Sequence, residues 1–134
     1  NSINIFEDGK ETRDFVFIDD VVDATILGLE KDEANGEIFN VGNGVATDVL
    51  TVANSLIKNY GITVPIKVTG NYRLGDIRHN FADLTKIKAK LDFSPKFNFE
   101  QGIKMFTNWV NEQAVQEDKS ASSLEEMKAR GLFK

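Results

Sequence analysis

Arg13 and Arg73 are of a residue type that can grip an anion. The guanidinium group is planar and always charged, and its fork of donors matches phosphate oxygens two at a time. The chain carries 21 acidic residues against 16 basic ones, so an arginine can equally be neutralised by a neighbouring carboxylate. Both readings stay open at this level. Asp76 comes three residues after Arg73, behind Gly75. Its carboxylate can accept from two adjacent hydroxyls, or it can bond the backbone of its own turn. Phe6 offers a stacking face or an ordinary core side chain.

Other chemistries fall away. The chain has no Cys, which excludes disulfides, thiolate catalysis and thiolate metal sites, and its single His excludes a multi-His metal site. That residue, His79, reads as a plain surface side chain. Nothing places the acidic pairs Asp19-Asp20 and Glu125-Glu126 around a scissile bond, so neither is an acid/base candidate. The formal charge of −5 argues against nucleic acid as the main partner. No run reaches the roughly 18 apolar residues that span a bilayer, and the start, NSINIFEDGK, is not a signal peptide. Cytoplasm is the default compartment. The absence of an initiator Met is expected of a chain that begins inside a longer protein, or of one that has been processed.

The elements that must position these residues follow from periodicity. Residues 3–6 alternate as a strand, and Glu7-Asp8-Gly9-Lys10 is a turn. Phe15–Ile18 reads as a second strand, with Asp19-Asp20 as N-cap chemistry for a helix from Val21 whose Val22, Ile26 and Leu29 recur on one face. Asn35-Gly36 closes that unit. Glu37–Val41 reads as a strand running into the loop Gly42-Asn43-Gly44. Thr47 or Asp48 caps a helix bearing Val49, Val52, Leu56 and Tyr60, which Gly61 stops. Pro65–Val68 is another strand, and residues 70–82 are an aperiodic loop. Asp83 caps a helix with Leu84, Ile87 and Leu91. After a bend at Ser94-Pro95, a last long helix turns Ile103, Phe106 and Val110 inward with Trp109 beside them. Residues 114–134 are more polar, a linker followed by a short helix over Leu124–Arg130 that Ser123 caps and Gly131 ends. The sum is a mixed α/β chain of about four short strands and five helices, with 1–113 as one lobe and 114–134 as a tail.

Four stretches, in order, carry a resemblance. They are Asp8-Gly9-Lys10-Glu11-Thr12-Arg13-Asp14-Phe15-Val16-Phe17-Ile18-Asp19-Asp20-Val21, Ile38-Phe39-Asn40-Val41-Gly42-Asn43-Gly44, Arg73-Leu74-Gly75-Asp76 and Ala82-Asp83-Leu84-Thr85-Lys86. Together they resemble the extended short-chain dehydrogenase/reductases, the NAD-dependent nucleotide-sugar epimerases and dehydratases, and look most like UDP-glucose 4-epimerase. The resemblance covers roughly residues 3–112. It implies the carboxy-terminal substrate lobe of a Rossmann-type enzyme. The amino-terminal lobe of such an enzyme holds NAD on a Gly-rich turn and a Tyr-x-x-x-Lys pair for proton transfer. Neither signature is present here. Gly42-Asn43-Gly44 lacks the third glycine, and Tyr60 and Tyr72 are followed four residues on by Val64 and Asp76.

The resemblance implies that Arg13 and Arg73 face the substrate diphosphate and Asp76 the ribose hydroxyls. Phe6 would lie beside the base, with backbone groups of Asn4 and Ile5 at the base edge. No catalytic, cofactor-binding or metal-binding residue is assigned to this chain. Two positions depart from the pattern: Glu7 stands where many relatives have Gly, and Phe15 where the closest 4-epimerases have Tyr. The expected partners are a nucleoside-diphosphate sugar and the missing Rossmann lobe, with self-association through surfaces that lobe would cover, and no nucleic acid or membrane. Alone, the chain is expected to be inactive. A 4,6-dehydratase, or a non-catalytic relative that senses a nucleotide or binds a protein, is the alternative.

Overall fold

The computed structural model describes residues 2–134. Its strands are β1 (Ile3–Ile5), β2 (Thr12–Asp14), β3 (Ala46–Asp48) and β4 (Ile66–Val68). Its helices are α1 (Ile18–Glu30), α2 (Val49–Tyr60), α3 (Thr85–Leu91), α4 (Phe99–Asn111) and α5 (Ser120–Ala129), with a 3-10 turn at Asp32–Ala34. The strands form two separate pairs. β1 runs parallel to β4, with Ile3 opposite Ile66 and Ile5 opposite Val68. β2 runs antiparallel to β3, with Thr12 opposite Asp48 and Asp14 opposite Ala46.

The α/β reading with four strands and five helices stands, but two of the expected strands do not form. Phe15–Ile18 makes no ladder. Phe15 and Phe17 instead pack on Phe99 and Phe97, with ring centroids 5.5 and 4.9 Å apart, and α1 begins at Ile18. The ladder falls on the polar residues just before them. Glu37–Val41 also stays outside any ladder, because a strand needs a partner edge and none meets it among the described residues. Ile38 is left 85% exposed. Lys86 and Lys90 pin Glu37, and Lys86 also donates to the Ile38 carbonyl.

The apolar core lies where α1 meets α3: Ala24, Leu84, Ile87, Leu91 and Phe93, with Leu27 and Phe39 against them. Asp20 is not the expected N-cap. It lies inside α1, only 1% exposed, and accepts from the backbone N–H groups of Lys96 and Phe97 at 2.8 and 3.2 Å. A buried carboxylate persists only with such donors, and here it ties the segment after Pro95 to the helix. Asp83 accepts from Thr85 N–H and hydroxyl at 2.9 and 2.6 Å, so it serves the start of α3 from one position further out than expected.

Asp48 caps α2 as expected, accepting from Thr51 N–H at 2.8 Å, and Gly61 ends it at φ +61°. α4 starts on a reciprocal Asn98–Gln101 capping box. One of its expected inward residues is a correction: Phe106 is half exposed, as is Trp109 beside it. With Phe17, Leu56 and Ile103 they line an open apolar groove of about 790 Å³. α5 begins at Ser120, four residues before the expected start, because Asp118 accepts from Ser120 N–H at 2.9 Å.

One polar knot joins these parts. The Asp14 carboxylate accepts from Asn43 N–H at 2.6 Å, Gly44 N–H at 2.9 Å and Ala82 N–H at 3.0 Å. Gly42 is what lets the loop close on it. A Cβ at that position would sit 2.5 Å from Asp14 Oδ2 and 2.6 Å from the Ala82 methyl. Asp14→Ala is expected to cost about 2–4 kcal/mol, the scale of orphaning several charge-assisted donors. Gly42→Ala should be similarly harmful. Because both act on one knot, the double variant should lose clearly less than the sum in urea denaturation; strict additivity would contradict the assignment.

Glu37 carries a pH signature. Hydrogen bonds from Lys86 and Lys90 lower its carboxyl from 4.5 to about 2. A lowered carboxyl stabilises the fold above its ordinary value and loses that contribution as pH falls through the lowered one. Glu37→Gln should therefore differ from the parent near neutral pH and converge with it as pH drops from 4.5 towards about 2. The difference should be small, since the pair is solvent-exposed; denaturation midpoints across pH measure it.

Candidate nucleotide-binding site

β1 leads into a turn at Phe6–Gly9 in which Glu7 adopts φ +45°, a conformation glycine takes more easily. Glu7 is held there on both sides: its N–H donates to the Asn71 carbonyl at 2.7 Å, and its carboxylate accepts from Arg78 at 2.9 Å. Arg78 also reaches Asp8 at 2.6 Å. The hydrogen bond from Arg78, followed by that from the Lys10 N–H, holds the Asp8 carboxyl below the usual carboxylate range; Asp8 in turn raises Arg78.

Residues 78–80 run beside β2. Thr12 N–H donates to the Arg78 carbonyl at 3.0 Å, Asn80 N–H donates to the Thr12 carbonyl at 3.1 Å, and the Thr12 hydroxyl meets His79 Nδ1 at 3.0 Å. Arg13 is anchored in this seam. Its Nη1 donates to the carbonyls of Thr12 and Arg78 at 2.8 and 3.2 Å. Its Nε–Nη2 edge makes no hydrogen bond among the described residues, and no carboxylate pairs with it there.

Arg73 is held in a parallel way. Gly75, at φ +88°, turns the chain so that Asp76 comes back on Arg73. Nε donates to Asp76 Oδ2 at 2.8 Å and Nη2 lies 2.6 Å from the same oxygen. This pair uses one edge of the guanidinium and leaves the Nη1 side. The Arg73 guanidinium carbon lies over the Phe6 ring, 5.8 Å from its centroid. Phe6, Arg73 and Asp76 thus form one cluster. Arg13 joins the same 70–80 loop through the Arg78 carbonyl.

At the base edge the two backbone positions differ. The Ile5 side chain is buried, and its carbonyl accepts from both Thr69 N–H and Thr69 hydroxyl at 2.8 and 3.0 Å. Its carbonyl is therefore engaged within the lobe. Strand alternation turns the backbone groups of Asn4 to the opposite, open edge of β1. Arg78 and its two carboxylates were not legible as a unit. Glu7 and Asp8 lie 70 or more residues from Arg78, in an aperiodic loop without a local signal. No cluster able to hold a metal ion occurs among the described residues.

Comparison with known proteins shows the family. The sequence profile of the family described as GDP-mannose 4,6 dehydratase matches residues 2–106. A dTDP-L-rhamnose 4-epimerase of Burkholderia thailandensis is 38% identical over 83% of the chain. Among solved structures, the Thermotoga maritima UDP-glucose 4-epimerase with UDP-glucose superposes with a TM-score of 0.72, at 35% identity over 83% of the chain. The Bacillus cereus UDP-glucuronic acid 4-epimerase, in complex with UDP-glucuronic acid and NAD, does so at 0.75 with 27% identity over 83% of the chain. The chain spans 30% of the length of the first of these relatives and 35% of the other two. With the profile match covering most of its length, the chain belongs to the NAD-dependent nucleotide-sugar epimerase and dehydratase family of extended short-chain dehydrogenase/reductases.

Proposed function

We propose that this chain is the nucleotide-sugar grip of a UDP-sugar 4-epimerase whose catalytic and cofactor-binding residues lie outside it. One observation carries the reading. Arg13 and Arg73 are each fixed to the protein along one side of the guanidinium and keep another for an anion, and Arg73 does so next to the Phe6 ring and the Asp76 carboxylate. A nucleoside diphosphate has the matching parts. Its two phosphates take the arginine forks, and its ribose hydroxyls donate to the Asp76 carboxylate. Its base stacks on Phe6 and reaches the Asn4 backbone. The relatives that bind UDP-glucose or UDP-glucuronic acid support the same ligand class.

The chain's own residues do not fit NAD. The nearest loop to a dinucleotide turn, Gly42-Asn43-Gly44, already gives the N–H groups of Asn43 and Gly44 to Asp14. A pyrophosphate placed there would meet a carboxylate. NAD would therefore be held elsewhere in the enzyme, and the role of this lobe is to fix the non-reacting nucleotide so that the sugar carbon is presented correctly. The 4-epimerase reading is favoured over dehydratase by the relatives named above. No helix is long and apolar enough to cross a membrane among the described residues.

The outer face of α1 supports a second body. Ile18, Val22, Ile26 and Leu29 are exposed along it, with Ile38 nearby in sequence outside any ladder. Soluble monomers rarely leave such a stripe open, and a cofactor lobe packed there would cover it.

Two outcomes are expected. Arg13→Ala and Arg73→Ala, made singly in the full-length enzyme, should each weaken UDP binding by about 1.5–3 kcal/mol, the scale of a hydrogen bond to a charged group. KM should rise more than kcat falls, because both groups act away from the reacting carbon; calorimetric titration in which both variants match wild type would refute the roles. Residues 1–134 produced alone should show no sugar interconversion and should self-associate through the α1 stripe. Light scattering showing a strict monomer, with residues 21–41 well protected from hydrogen exchange, would contradict the second part.

A further inference from the structure

The tail does not trail away from the lobe. Just beyond α5, Gly131 takes φ +67° and turns the chain, while Leu132 N–H donates to the Met127 carbonyl at 2.9 Å. The last residues then run antiparallel to residues 72–74. Tyr72 N–H donates to the Lys134 carbonyl at 2.7 Å and Lys134 N–H to the Tyr72 carbonyl at 3.0 Å. Leu74 N–H donates to the Leu132 carbonyl at 2.9 Å. Arg73 is thereby the bridge partner of Phe133. Phe133 is only 9% exposed in an otherwise polar segment, and its ring meets Phe6 in a T-shaped contact with centroids 5.2 Å apart.

These contacts fall on the loop that carries Arg73 and Asp76 and on the ring proposed to stack the base. That loop has no helix or strand of its own, so its place must come from such contacts. We infer that the strap of residues 131–134 is part of the nucleotide subsite, and that Phe133 is a positioning residue which sets the Phe6 plane and the Arg73 loop for the nucleoside diphosphate. The inference rests on the ligand class proposed above. The strap works in two ways. Its main-chain pairs hold the loop against sliding, and the edge of one phenyl ring against the face of the other restricts how Phe6 can tilt. A flat base needs a fixed face, and a diphosphate needs a fixed fork; both are ordered before the ligand arrives, which lowers the entropy lost on binding.

The test uses UDP as the probe, in the full-length protein, by isothermal titration calorimetry. Phe133→Ala should weaken UDP about three- to tenfold, the range of one lost aromatic pair. Deleting residues 131–134 should weaken it at least as much. KM for the sugar nucleotide should rise with kcat held, and Phe133→Tyr, which keeps the ring, should restore binding while Phe133→Leu should not. Three results would overturn the inference: Phe133→Ala binding UDP like wild type, Leu serving as well as Tyr, or Phe133→Ala binding more tightly, which would make the tail a plug. Arg73→Ala is the control. If it loses UDP and Phe133→Ala does not, only the strap fails; if Arg73→Ala also binds normally, the ligand class fails with it.

Discussion

The grip of one carboxylate on three backbone N–H groups underlies the arrangement of this lobe. Asp14 ends β2, immediately after Arg13, and draws in Asn43, Gly44 and Ala82. Those donors come from the loop before β3 and the segment before α3, and those of Asn43 and Ala82 are partly buried and would otherwise need separate partners. Because Gly42 has no side chain, the loop comes close enough for the bonds to form. Arg13 is placed as a by-product: its neighbour is clamped, and its own Nη1 is tied to two carbonyls.

Charge is managed locally in a chain whose formal charge is −5. Arg78 absorbs Glu7 and Asp8, which would otherwise present two carboxylates at the turn beside Phe6. Arg13 escapes such neutralisation, and Arg73 is met by Asp76 alone along one edge. In the proposed reading, an anion approaching the 70–80 loop meets guanidinium edges whose partners are already arranged. Such ordered donors lose little freedom on binding, which is where a bidentate arginine gains over a lysine.

The apolar surface divides in the same selective way. The inner face of α1 joins the core through Ala24 and Leu27, while its outer stripe and Ile38 are left open. The groove along α4 keeps Phe106 and Trp109 half exposed. In the proposed reading this uncovered apolar area faces a second lobe; the chain spans about a third of the length of the relatives it matches.

Local chemistry in the sequence determined several elements outright. The α2 helix with its Asp48 cap and Gly61 stop, the β1 and β4 strands, the turn at Glu7–Lys10 and the core trio Leu84, Ile87 and Leu91 all follow from periodicity and capping, which act within a few residues. The motif residues Arg13, Arg73, Asp76 and Phe6 were legible as types. Tertiary structure decided what periodicity could not. Phe15–Ile18 and Glu37–Val41 look like strands, yet a ladder requires a partner edge, and their side chains found other neighbours or none. Asp20 resembles a cap, yet its carboxylate serves donors at Lys96 and Phe97, far along the chain. The union of Glu7 and Asp8 with Arg78, and of Phe6 with Phe133, is set by the folding of an aperiodic loop and a polar tail. Neither has a repeat to read, so only the closed fold brings those partners together.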